Sequence, residues 1–113
     1  MLRGVHFLAL AELEEQRTQE GSRYLEFLRV PAMSAGLYVL PAGGNDPQQP
    51  HNEDEMYYVV RGRARFKAGA EGEDEEREVF AGSLIFVAAD VEHRFYDIVE
   101  ELAVLVFFAP AES

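Results

Sequence analysis

The sequence predicts an all-β domain, a sandwich or closed barrel, preceded by one short helix. Two observations carry this. Seven or more short apolar runs follow one another, rich in β-branched and aromatic residues and punctuated by Gly, Pro and Asp. The chain has 113 residues, of which 48% are hydrophobic, so residues 1–113 suit a single domain with one core.

The elements follow in order. Residues 8–16 (LALAELEEQ) bring Leu8, Leu10 and Leu13 toward one face of a helix. Residues 23–30 (RYLEFLRV) alternate imperfectly and stop at Pro31. Residues 36–40 (GLYVL) stop at Pro41 and the loop AGGNDPQQP. Residues 55–60 (EMYYVV) stop at Arg61-Gly62, and residues 63–68 (RARFKA) alternate cleanly into Gly69. The acidic tract at 71–78 reads as a solvated hairpin loop, because it lacks the ligand spacing of a calcium loop. Val79-Phe80, the turn Ala81-Gly82 and runs at 83–87, 93–98 and 102–108 complete the series. No internal repeat and no interdomain linker interrupt it.

Composition excludes several function classes. The net charge of −11 leaves no basic patch for nucleic acid and disfavours anionic membrane surfaces. With no cysteine, disulfides, thiolate metal sites and a Cys nucleophile are ruled out. The longest apolar run, near residues 102–110, is under half the length of a membrane-spanning helix. The N-terminal MLRGVHFLALAELEE lacks a convincing cleavage site, so no signal peptide is read and a cytoplasmic location is expected. There is no G-x-S-x-G elbow, and no phosphate-loop pattern surrounds Gly43-Gly44.

The chemistry concentrates before and within the run at 55–60. Side chains alternate along a strand, so residues separated by even numbers share a face. Gln49, His51 and Glu55 are all odd, as are Tyr57 and Val59. Glu53 shares that parity, whereas Asp54 and Met56 do not. On a later strand His93, Phe95 and Asp97 share a face. His51 and Glu55 with His93 offer two imidazoles and a carboxylate, a set suited to a first-row divalent metal. Glu53 and Asp54 are expected to be solvated, with Glu53 also placed to accept a hydrogen bond near the site. Asp97 is expected to serve a turn or a hydrogen bond, and His6 has no partner in the pattern.

The spacings resemble those of the cupin superfamily. Its first motif is matched by Gly43, five residues, Gln49-x-His51, three residues, Glu55, six residues and Gly62. The departure is Gln49, which stands where the family usually has a first histidine. The second motif is matched by Gly82, five residues, Ala88-Ala89-Asp90, two residues, His93, three residues and Asp97. Here Ala88, Asp90 and Asp97 replace the usual Pro, Gly and Asn. The resemblance covers about residues 37–108.

It implies a cupin-type double-stranded β-helix, a small jelly-roll barrel, with a metal near its centre. The family's ligand positions fall on Gln49, His51, Glu55 and His93. Gln49 either binds through its amide oxygen or stays off the metal, leaving His51, Glu55 and His93 as a two-histidine, one-carboxylate triad with open positions. The ion is a divalent transition metal: Fe, Mn, Ni, Co or Zn. Tyr57 and Phe95 are expected to line a substrate site or simply to pack in the core, and Tyr38 lies on a neighbouring strand with either face possible. The resemblance implies a metal-dependent dioxygenase or isomerase acting on a small molecule in the lumen. The alternatives are a non-catalytic ligand-binding module and a metal-free scaffold. A homodimer is also implied.

Overall fold

A computed structural model describes residues 4–47, 50–69 and 75–113. Among these residues one helix, α1 (Leu10–Glu20), precedes six strands: β1 (Tyr24–Val30), β2 (Met33–Leu40), β3 (Asp54–Ala68), β4 (Glu75–Phe80), β5 (Leu84–Val87) and β6 (His93–Ala109). All strand pairs are antiparallel. The sheet order is β1-β2-β6-β3-β4, and β5 pairs with β3 off that path.

Two long strands carry the architecture. The runs at 55–60 and 63–68 form the single strand β3, and those at 93–98 and 102–108 form β6. Arg61-Gly62, expected to end a strand, instead sits in a bend. The β3–β6 register shifts between Val59 and Arg65, so the ladder bulges and continues. Gly62 has φ 99°, and a Cβ there would lie 2.2 Å from the Glu101 carbonyl oxygen, so only glycine fits this crossing. Beyond the bend the buried parity flips, from Glu55, Tyr57 and Val59 to Ala64 and Phe66. Asp97, at φ 48°, marks a similar change between Phe95 and Ile98. It is exposed and leaves the face of His93.

This bending lets one sheet curl around its own core as a jelly-roll barrel. The first half of β3 pairs with β5, and its second half with β4. The lumen is filled by a cluster that includes Leu40, Tyr57, Phe66, Phe95, Leu102, Val104 and Phe108. A second cluster covers the outer face of β1, β2 and β6, where Leu13 of α1 packs on Leu25, Leu37, Val39 and Ala103.

The helix begins two residues later than the sequence suggested and runs to Glu20, because Ala9 is extended and Gly21 closes the end. The Gly21 N–H donates to the Arg17 and Thr18 carbonyls from a left-handed conformation. Leu8 therefore lies outside it and is half exposed. Residues 75–78, expected in a loop, open β4. All four are exposed, and two oppose cations across the strand, Glu76 facing Lys67 and Glu78 facing Arg65. The remainder of that tract, 71–74, lies outside the described residues.

Candidate metal centre

His51 immediately precedes β3, Glu55 is its second residue and His93 is the first residue of β6. Backbone contacts clip the two segments together. The Asp90 N–H donates to the His51 carbonyl (2.7 Å), and the Ala89 N–H donates to Asp54 Oδ1 (2.9 Å). Asp90 adopts φ 67°, which Asp tolerates better than most non-glycine residues, so the position resembling the motif's glycine keeps its left-handed turn.

These contacts bring ligand atoms of His51, Glu55 and His93 within 4.8 Å of one another. His93 Nε2 lies 2.7 Å from Glu55 Oε1, and both side chains are 1% exposed. His93 Nδ1 lies 2.9 Å from the Val91 carbonyl oxygen, so that nitrogen donates and Nε2 faces the carboxylate. The Tyr57 hydroxyl is 3.1 Å from the same Nε2. His51 is half-buried, with Nδ1 3.2 Å from Glu112 Oε2 and its ring 5.8 Å from that of His93.

The fit to a cation can be tested on Glu55. Apart from His93 Nε2 at 2.7 Å, which can donate only when the imidazole is protonated, neither of its buried oxygens faces a hydrogen-bond donor among the described residues. A buried, undonated carboxylate is costly. Either a proton on His93 or a cation held between the ligand atoms relieves it. Burial is the largest influence on His93 and opposes its charge, but Glu55, the Val91 carbonyl and Asp46 outweigh it and hold the imidazole above its ordinary range. Two imidazoles and a carboxylate with converging atoms therefore suit a divalent ion.

Gln49 lies outside the described residues. Tyr57 and Phe95 are fully buried and locked with Phe66 in edge-to-face contacts at 4.9–5.9 Å between ring centroids. They form a packed floor and do not line the cavity beside His51. That cavity, of about 170 Å³, is lined by Tyr24, Tyr38, His51, Val106, Phe108 and Glu112. Tyr38 thus faces the lumen, its hydroxyl donating to Asp46 Oδ1 at 2.7 Å. Burial first, then Glu112, raises the Tyr24 hydroxyl above its ordinary range, so it stays protonated.

Glu53 is not solvated. It is 5% exposed, and Oε2 accepts the Ser113 N–H at 3.2 Å. Asp54 is exposed, yet it accepts a backbone hydrogen bond. Tyr24 and Glu112 carried no spacing signal, because their approach depends on strand pairing and on the course of the chain after β6.

Comparison with known proteins agrees with the fold. A protein of Streptomyces coelicolor, the uncharacterized SCO3923, is 48% identical over 104 residues, covering 92% of this chain and 95% of that protein. The crystal structure of BH2720 from Bacillus halodurans matches with a TM-score of 0.76 at 20% identity, over 92% of this chain and 80% of that one. The iron(II) form of HppE matches with a TM-score of 0.64 at 17% identity, over 75% of this chain and 49% of that one. The cupin domain model matches residues 36–108, well over half the chain, across both β3 and β6. This chain belongs to the cupin domain family.

Proposed function

We propose that this cupin holds one divalent transition ion on His51, Glu55 and His93 and acts on a small molecule in the lumen, as a metalloenzyme of dioxygenase or isomerase type. The carrying observation is Glu55, whose buried oxygens lack donors among the described residues while His93 Nε2 stands 2.7 Å away. Bound there, the metal would supply Lewis-acid polarisation and open positions for a chelating substrate or for oxygen. The iron(II) in the HppE structure supports this reading.

The chain's own groups supply the rest. Val91 holds the His93 ring in register through Nδ1. The packed rings of Tyr57, Phe66 and Phe95 keep water away from the buried side of the pair. The cavity beside His51, at about 170 Å³, is of the size that holds a single benzene-sized ring. Among the described residues no lysine or arginine lines it, which weighs against a phosphorylated ligand.

A homodimer fits the outer face of β3 and β5. Met56 pairs with Phe86 and Tyr58 with Leu84, and all four side chains are exposed.

The test is metal analysis of the purified protein, with His51→Ala and His93→Ala as controls. A stoichiometric ion lost in both variants is expected. Oxygen uptake with small enols and catechols then reads the reaction type, and ligand-induced thermal stabilisation without turnover would favour a binding module. No metal under any loading condition refutes the proposal.

A further inference from the structure

The segment after β6 turns back over the site and is pinned through its backbone. The Glu112 N–H donates to the buried Ser34 hydroxyl (2.9 Å), and Arg29 Nη2 donates to the Glu112 carbonyl (2.7 Å). The Ala111 N–H donates to the Pro31 carbonyl (3.3 Å), and the Ser113 N–H to Glu53 Oε2 (3.2 Å). None of these ties uses the Glu112 carboxylate, which instead reaches to 3.2 Å from His51 Nδ1.

The two imidazoles are therefore treated alike. His93 turns Nδ1 to the Val91 carbonyl and His51 turns Nδ1 to the Glu112 carboxylate. For His93 the Val91 acceptor at Nδ1 makes Nε2 the nitrogen with a lone pair to present; the Glu112 carboxylate, 3.2 Å from His51 Nδ1 as an ion-pair contact, stands where it can do the same for His51. A metal-bound histidine commonly donates its other ring N–H to a carboxylate or carbonyl, which fixes both tautomer and orientation.

We propose that Glu112 is the positioning residue of His51: its carboxylate accepts the Nδ1 proton and so presents Nε2 to the metal. This rests on the metal reading above. It assigns part of the metal centre to a residue outside both sequence motifs.

The full chain is titrated with cobalt(II) against a competing chelator, comparing wild type, Glu112→Ala and Glu112→Gln. Glu112→Ala is expected to weaken binding about 10- to 100-fold. Glu112→Gln keeps an oxygen acceptor and is expected to recover most of that loss. Imidazole nitrogen NMR of the metal-free proteins reads the tautomer directly. His51 is expected to be Nδ1-protonated in wild type and mixed in Glu112→Ala, while His93 stays unchanged as the internal control. The retained backbone ties predict native circular dichroism for both variants.

Wild-type affinity in Glu112→Ala overturns the proposal. So does a Glu112→Gln as weak as Glu112→Ala, which would make the carboxylate a charge or a direct ligand. If wild type takes up no cobalt, the metal reading fails. In that case an unchanged His51 tautomer in Glu112→Ala would show that the positioning role fails as well.

Discussion

Glu55→Gln offers the sharpest test of the site, because the expected sign depends on both pH and metal. In metal-free protein well above the His93 titration, Glu55 is a buried carboxylate without a hydrogen-bond donor among the described residues. An amide of the same shape removes that charge and can donate to His93 Nε2, 2.7 Å away in the parent. Relief of such burial is worth roughly 1–3 kcal/mol. For a domain of this size that raises Tm by about 4–12 °C. At low pH the sign reverses. His93 is held above its ordinary value of 6.5, so its pairing with Glu55 stabilises the fold fully below 6.5 and fades as pH rises through the raised value. Glutamine loses that contribution and leaves a buried imidazolium poorly paired. Differential scanning fluorimetry in excess chelator, from about pH 5 to about pH 9, should show the variant's melting curve crossing that of wild type. Adding metal at about 100 Kd should then stabilise wild type alone, by about 2.7 kcal/mol. A variant less stable than wild type at every pH without metal would mean that the Glu55 carboxylate is well satisfied, and the reasoning from its oxygens would be wrong.

Three further outcomes follow from the geometry. Metal affinity should fall as pH drops through the raised His93 value, since proton and ion compete for Nε2; a flat pH profile in isothermal titration would count against His93 as a ligand. Gly62→Ala should cost about 3 kcal/mol or more, read by urea denaturation, because it combines a positive φ with a backbone clash at Glu101; near-parental stability would show that the β3–β6 crossing is looser than described. If the proposed homodimer uses this face, Leu84→Lys with Phe86→Lys should be monomeric in sedimentation velocity without unfolding where wild type is dimeric; a monomeric wild type or an unchanged dimer would refute that interface.

The fold class was legible because period-two runs and turn residues survive in the sequence even where strands bend. The fusion of four runs into β3 and β6 was not. Arg61-Gly62 has the composition of a turn, and only the facing Glu101 backbone makes it a bulge. The grouping of His51, Glu55 and His93 was legible because two fall at even spacing on one stretch and the motif loops bring in the third. Tyr57 and Phe95 had the right parity for the lumen, yet parity cannot tell an open lumen from one filled by packed rings. Glu53 read as solvated because the partner that buries it, Ser113, comes from a segment 60 residues away. Tyr24 and Glu112 belong to the same class of long-range approach, which local pattern does not encode.

The bend in β3 also sets where the gene can change length. Arg63 and Arg65 alternate with the buried Ala64 and Phe66 just beyond it. A one-codon deletion at Arg61-Gly62 would turn the arginines into the lumen and the apolar pair toward solvent. The Asp54–Val59 half would keep its facing, so the barrel would be divided against itself. Indels across the whole chain should therefore be sharply excluded at this bend, though each substitution beside it taken singly looks modest.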